Sequence, residues 1–207
     1  VRTGASWGGG AKKVVVIINP VAGTGRSRKV FDMDIMPVLE AAGLEVDVQV
    51  TSRAGEASEF AAGLSAASCG CVMVVGGDGT LHEVLQGLLK ENWEEGAAVP
   101  LCPAPGGSGN GLAHSLGMPD AASAAYAVVK GRTAPLDVAS CLQPPHRCYS
   151  FLSLNFGITS NVDKGSEHLR WMGDTRFTVQ ALHEVARHKT WDAKVVFLPE
   201  AAAASCR

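Results

Sequence analysis

No apolar run in this chain approaches the roughly 20 residues that a membrane-spanning helix needs, and its start carries no signal-peptide pattern. Charge is sparse as well. Only 18% of residues are charged and the formal net charge is −2, so the chain has no basic surplus for a nucleic-acid surface. The six cysteines do not form a disulfide framework, and Cys69-Gly70-Cys71 is too tight for a common zinc pair and has no second pair to complete it. They read as reduced thiols of a cytosolic protein. Familiar signatures are missing too. Gly23 and Gly25 are followed by Arg28 where the dinucleotide fingerprint needs a third glycine, and neither a Walker loop nor a protein-kinase catalytic loop occurs. In His183-Glu184-Val185-Ala186-Arg187-His188 the second histidine falls one place too late for a zinc-protease helix, which leaves both histidines as solvent-facing helix residues. Disorder is excluded as well, because 46% of the 207 residues are hydrophobic, enough for a packed core.

What the chain does have is organised around residues 71–84. Cys71-Val72-Met73-Val74-Val75 reads as a buried strand, and Leu81, Val84, Leu85, Leu88 and Leu89 follow at helical spacing. Between them stand Gly76, Gly77, Asp78 and Gly79. A glycine turn from strand to helix lets backbone N–H groups approach a phosphate, and the helix N-terminus adds partial positive charge. Asp78 would repel that anion. It fits if it has a task beside the phosphate, such as taking a proton from a hydroxyl or helping to hold a metal ion. The other reading is an ordinary tight turn with Asp as a helix cap.

Two further glycine turns follow strands. Lys13–Ile18 is a continuous β-branched run that leads into Asn19-Pro20-Val21-Ala22-Gly23-Thr24-Gly25-Arg26. A short strand over Val99–Cys102 leads into Pro105-Gly106-Gly107-Ser108-Gly109-Asn110-Gly111. Helices are expected over Ser27–Ala42, kinked or restarted at Pro37 and ended by Gly43, over Glu56–Ala67, from Leu112 to Leu116, and over Ala121–Lys130, capped by Asp120. A strand covers Glu45–Thr51, and Glu91–Gly96 reads as an acidic loop around Trp93. Strands that alternate with helices predict a parallel sheet with helices on both faces, whose ligands bind at the carboxyl ends of the strands. Past Leu136 the pattern changes. Asp137–Ala139 and Cys148–Phe156 read as strands, Ser166–Lys189 as a helix with Gly173 inside, and Ala193–Leu198 as a last strand. Residues 1–11 are glycine-rich and read as a flexible leader. Both ends read as cut, the first because the chain opens on Val1.

Taken together, Asn19-Pro20 with Gly23 and Gly25, Gly76-Gly77-Asp78-Gly79-Thr80 with His82-Glu83, and Pro105-Gly106-Gly107-Ser108-Gly109-Asn110 resemble the catalytic domain of diacylglycerol-kinase-like lipid kinases. The Gly-Gly-Asp-Gly-Thr run alone is shared with NAD kinases. Ser153-Leu154-Asn155-Phe156-Gly157 through Asn161-Val162-Asp163, with Ser166-Glu167, Arg170, Gly173 and Arg176-Phe177-Thr178, is similar to sphingosine kinases.

The resemblance implies a three-layer α/β nucleotide-binding domain over residues 12–137, of the NAD-kinase and diacylglycerol-kinase type. Residues 138–207 would then open a β-rich lipid-binding domain. It assigns ATP contacts to Asn19, Pro20, Gly23, Gly25, Thr51, Gly76, Gly77, Gly79, Thr80, Glu83, Gly107, Ser108, Gly109, Asn110, Glu167, Arg170 and Arg176. It makes Asp78 the general base and Asp163 the carboxylate that pairs with the amine of a sphingoid base. Mg²⁺ is expected with the ATP, with no protein ligand set assigned. On residues alone, Glu167 and Arg170 are equally a helix ion pair at i,i+3. Many sphingosine kinases carry an acidic residue where this chain has Asn161, and the family continues into a late Gly-Asp-Gly segment beyond the point where this chain ends. The expected activity is transfer of the γ-phosphoryl of ATP to a sphingoid-base hydroxyl. The expected setting is cytoplasmic with peripheral membrane contact, with no nucleic-acid partner and with homodimerisation left open. A neutral-lipid kinase and a nucleotide-binding remnant without catalysis are the alternatives.

Overall fold

In a computed structural model of the chain, residues 13–90, 93–173, 175–187 and 189–196 are described. The leader over 1–11 and the end of the expected strand Ala193–Leu198 lie outside them. The described residues form two compact units, one through Leu154 and one from Asn155.

The first unit is built on four parallel strands, β1 (Lys13–Ile18), β2 (Glu45–Val50), β3 (Cys71–Gly76) and β4 (Leu101–Pro105), in the order β2-β1-β3-β4. Because successive strand side chains point to opposite faces, the β-branched runs of β1 and β3 feed two cores. Val14, Val16, Ile18, Met73 and Val75 pack on one face, with Phe31, Ile35, Leu39, Ala124, Ala125 and Val128 from helices. Val15, Ile17, Val72 and Val74 pack on the other, with Ala57, Ala61, Leu81, Val84 and Leu88. The result is the expected three-layer α/β arrangement.

β4 starts and ends later than the expected Val99–Cys102. Its backbone explains how prolines enter a strand. Val72 N–H donates to the Pro100 carbonyl and Gly106 N–H to the Gly76 carbonyl, so the even positions face β3 and Pro103 and Pro105 face outward. On an outer edge a proline sacrifices no ladder bond.

The first helix, α1, runs as an α-helix over Ser27–Val30, widens to a π-helical turn over Phe31–Ile35 and returns to α over Met36–Ala41. Pro37 has no N–H for the preceding turn, so the change of winding falls where the sequence places the restart. Gly43 then ends it at φ 68°, with Leu44 N–H closing back on the Leu39 carbonyl.

Helix α2 covers only Glu56–Ala61, shorter than the expected reach to Ala67, because Gly63 turns the chain at φ 80°. Helix α3 is Asp78–Leu88. The acidic segment expected to be a loop is instead a short helix, α4 (Trp93–Ala97), with Glu94 and Glu95 in its first turn, where carboxylates suit the helix dipole. Helix α5 is Gly111–Ser115, and α6 is Ala121–Val129, whose N-cap Asp120 accepts from Ser123 N–H at 2.7 Å.

Gly87 sets how closely α3 approaches α2. A Cβ there would lie 2.2 Å from the Ser58 carbonyl oxygen, a backbone atom that cannot swing aside. Gly87→Ala is therefore expected to destabilise the first unit by about 1–3 kcal/mol through overpacking, despite the better helix propensity of alanine. A thermal midpoint equal to the parent's would show that the two helices separate freely.

Strands β5 (Ala139–Gln143) and β6 (His146–Ser150) form an antiparallel hairpin joined at Pro144-Pro145. The expected strand Cys148–Phe156 thus begins earlier and ends at Ser150. Gln86 on α3 pairs with the hairpin as a strand would, donating to the Tyr149 carbonyl at 2.8 Å and accepting from Tyr149 N–H at 2.9 Å. Cys69, Cys71 and Cys102 are buried free thiols, and burial pushes the Cys102 thiol up to about 12. Cys141 and Cys148, also free, oppose each other across the hairpin.

In the second unit helix α7 (Ile158–Gly165) comes first, and the expected helix Ser166–Lys189 is two elements, a 3₁₀ turn over Glu167–Met172 and helix α8 (Thr175–Ala186), with Gly173 at φ 62° breaking the run between them. Residues 191–196 have no regular structure, so the part of the expected strand Ala193–Leu198 that is described is not one. No helix among the described residues is long and apolar enough to cross a membrane.

Candidate nucleotide site

Parallel pairing puts the carboxyl ends of β1, β3 and β4 side by side. Ile18 is level with Val75, and Gly76 with Pro105, so the three glycine turns leave the sheet at one edge. Hydrogen bonds then tie them together.

The first turn is fastened to the second by Asn19, whose Nδ2 donates to Thr80 Oγ1 at 2.9 Å while its own Oδ1 accepts from Val21 N–H at 3.1 Å. Gly23, at φ 55°, brings this turn against the third: a Cβ on it would fall 2.7 Å from the Gly106 carbonyl oxygen. Only glycine meets both demands. Gly25 also needs its positive φ of 73°, but without such crowding. Thr51, buried at the end of β2, donates from its backbone N–H to the Ile18 carbonyl at 2.9 Å and so steadies the exit from β1.

The second turn delivers the N-terminus of α3. Gly77 is the N-cap and supplies no side-chain cap, so the first amides of the helix are not taken by a cap from their own turn. Gly76 is covered by Thr80, and a Cβ on it would sit 3.0 Å from Thr80 Oγ1. Gly79 differs from its neighbours. It has no positive φ, and a Cβ there would meet nothing within 4 Å. Glu83 faces another way, accepting from Gly55 N–H at 3.0 Å, where it holds the loop ahead of α2.

The third turn is braced by Asn110. Its backbone is left-handed at φ 51°, a conformation that asparagine tolerates better than most residues. Its Oδ1 accepts from Gly106 and Gly107 N–H at 3.3 and 2.9 Å, and its Nδ2 returns a bond to the Gly107 carbonyl at 2.9 Å. A Cβ on Gly107 would lie 2.4 Å from Gly77 Cα, so the second and third turns touch backbone to backbone. Ser108 and Gly109 are exposed at the tip of this turn.

Asp78 stands at the centre. Its carboxylate accepts from Gly111 N–H at 2.7 Å and from Leu112 N–H at 3.2 Å, which are the first amides of α5. The side chain of Leu152 reaches the same place, since a Cβ on Gly111 would lie 3.6 Å from both Asp78 Oδ2 and Leu152 Cδ1. The geometry therefore brings together Asn19, Gly23, Gly76, Gly77, Asp78, Thr80, Gly107 and Asn110. Pro20 and Gly25 stay within the first turn, and Glu83 serves the neighbouring loop.

The residues expected from the second unit are placed as follows. Asp163 is exposed on α7, and its carbonyl accepts from Ser166 Oγ at 3.0 Å. Arg176 is buried at the start of α8 with its guanidinium 4.4 Å from the centre of the Phe177 ring and Nη1 3.7 Å from Glu167. Among the described residues, Arg176 Nη1 is a buried donor without a hydrogen-bond acceptor. Arg170 lies in the 3₁₀ turn, but its side chain is outside the described residues, as is all of His188. His183 is exposed, as the sequence implies.

Sequence reasoning missed Glu184. It is buried on α8 and accepts from Asn161 Nδ2 at 3.0 Å and Gln180 Nε2 at 3.2 Å, and the Asn161 bond holds its carboxyl below the ordinary range. The only signal was its i,i+4 spacing from Gln180.

Comparison with known proteins gives the family. The Diacylglycerol kinase catalytic domain family matches residues 13–141. Sphingosine kinase 1 of Arabidopsis thaliana is 34% identical over 197 residues, covering 92% of this chain and 41% of that protein. Sphingosine kinase 2 of Homo sapiens is 34% identical over 199 residues, covering 90% of this chain and 30% of that protein. A crystal structure of a diacylglycerol kinase from Bacillus anthracis str. Sterne superposes with a TM-score of 0.53 at 32% identity, over 61% of this chain and 42% of that one. The chain thus spans well under half the length of these relatives.

Proposed function

Since the chain belongs to the diacylglycerol kinase catalytic domain family, we propose that it is the nucleotide-binding part of a lipid kinase that phosphorylates the primary hydroxyl of a sphingoid base with ATP. The observation that carries this reading is the junction of three glycine turns at one sheet edge, with the Asp78 carboxylate at their centre. Gly23 and Gly107 let the three turns pack backbone against backbone, which gathers their amides in one place, as a polyphosphate site requires. The uncapped N-terminus of α3 offers amide donors and partial positive charge to the same anion.

In this mechanism the turns position the nucleotide, and Asp78 takes the proton from the lipid hydroxyl as its oxygen bonds to the γ-phosphorus and the bond from that phosphorus to the β,γ-bridging oxygen breaks, so that ADP leaves. Its carboxylate oxygens carry about four lone-pair sites, of which the two backbone bonds use two. Mg²⁺ neutralises charge on the phosphates when it is bound. Asp78 is the one carboxylate among these turns that could hold it beside the phosphates. Phosphoryl transfer depends mainly on such positioning and charge stabilisation. Arg176 Nη1, buried 3.7 Å from Glu167 with no hydrogen-bond acceptor among the described residues, is a donor suited to an anion, in keeping with the phosphate role that the resemblance gives to Arg176 and Arg170. Cytoplasmic placement with peripheral membrane contact fits a lipid acceptor.

Asp163 is the proposed partner of the sphingoid amine. Because it is exposed, the pair is a modest one. In the full-length protein, Asp163→Ala is expected to raise the KM for sphingosine about two- to fivefold while leaving a neutral analogue, with hydroxyl in place of amine, nearly unchanged. Rates with radiolabelled ATP on both lipids decide this. Equal losses would make Asp163 structural, and a parent enzyme that prefers diacylglycerol would overturn the sphingoid assignment.

A further inference from the structure

We propose that Asp78 also acts as a positioning residue, holding the third glycine turn in its phosphate-accepting shape by capping a helix that cannot cap itself. This rests on the nucleotide site proposed above. The N-cap of α5 is Asn110, which makes no side-chain cap bond because its amide is turned back to brace Gly106 and Gly107. The first two amides of α5 would then be orphans. They are taken instead by one carboxylate 33 and 34 residues earlier in the chain, on the first turn of α3. One end of the Gly106–Gly111 segment is thus braced by Asn110 and the other by Asp78. Between them lies Gly107, whose backbone must stay against Gly77.

This division of labour makes a prediction that a proton acceptor alone does not. Asparagine is nearly the size of aspartate but offers one acceptor oxygen, and its NH₂ would meet a backbone N–H donor to donor. At least one α5 amide would lose its partner. A bond from a neutral donor to a charged group is worth enough that the loosened turn should bind nucleotide about tenfold more weakly. Asp78→Ala, which removes both acceptors and adds no donor, should lose at least as much.

The test uses the full-length protein and a non-hydrolysable ATP analogue, so that chemistry plays no part. Affinity is read by calorimetry, and amide hydrogen exchange is read without nucleotide. The expected result is weaker analogue binding in both variants, with faster exchange at Gly111 and Leu112 and unchanged exchange in α6. Affinity within twofold of the parent together with unchanged exchange at those two amides would overturn the positioning role. A parent that binds no nucleotide would defeat the reading under Proposed function instead, while the exchange at Gly111 and Leu112 would still decide whether Asp78 holds the turn.

Discussion

Asp78→Asn, assayed at saturating ATP so that its weaker binding is overcome, is expected to turn over about 10²–10⁴ times more slowly than the parent, the usual cost of losing a general base. The reason lies in where the charge stands. A carboxylate among phosphate-binding turns works against anion binding by simple repulsion, and as a clamp it fastens only one of the three turns. A neutral oxygen acceptor could do part of that clamping without the repulsion. The charge earns its place if an alcohol proton must leave as its oxygen attacks phosphorus. Initial rates with radiolabelled ATP and sphingosine, each at saturation, give kcat apart from affinity. If kcat stays within a few-fold of the parent while analogue affinity falls, Asp78 is a clamp alone and another group takes the proton.

The double role proposed for Asp78 also marks the limit of what could be read from the sequence. The strand before the turn, the helix after it and the oddity of a carboxylate between glycines are all local features, which a continuous apolar run, helical apolar spacing and residue type expose directly. The amides that Asp78 accepts are 33 and 34 residues away and belong to a helix of five residues, too short to show periodicity. The same holds for Gln86, whose pairing with the Tyr149 backbone 63 residues on has no local signal.

Glycines show the limit from another side. Gly79 and Gly107 look equivalent in the sequence, yet one borders open space and the other touches backbone, a distinction made only by packing of the turns. Beyond Leu136 the alternation that guides the first unit fades. A left-handed Gly173 divides what apolar spacing joins into one helix, and α7 was invisible because its eight residues, from Ile158 to Gly165, carry few apolar positions. Prolines misled at β4, where an outward edge accommodates both of them.

The glycine contrast yields a sharper test of the site than any charge change. Gly107→Val is expected to abolish measurable ATP binding while the far-UV circular dichroism stays that of the parent. The first atom of the new side chain would lie 2.4 Å from Gly77 Cα and 3.0 Å from Gly77 N, both backbone, so no rotamer relieves the clash. Either the second turn or the third must move, and with it the α3 amides or the Gly106–Asn110 amides that would face the phosphates. Each hydrogen bond to a charged group is worth about 1.5–3 kcal/mol, so displacing two of them weakens binding by about 10²-fold or more. The core strands lie below the turns, and Val14, Val16, Val72 and Val74 pack without reference to Gly107, which is why the fold should survive. Gly79→Ala supplies the comparison. It sits one residue beyond Asp78 with no positive φ and nothing within 4 Å of its Cβ position, so its affinity should stay within a few-fold of the parent. Calorimetry on the two variants reads the contrast directly. Parent-like affinity in Gly107→Val would mean that the second and third turns need not touch for nucleotide to bind. Equal losses in both variants would mean that glycine matters here for chain flexibility rather than for the space it leaves.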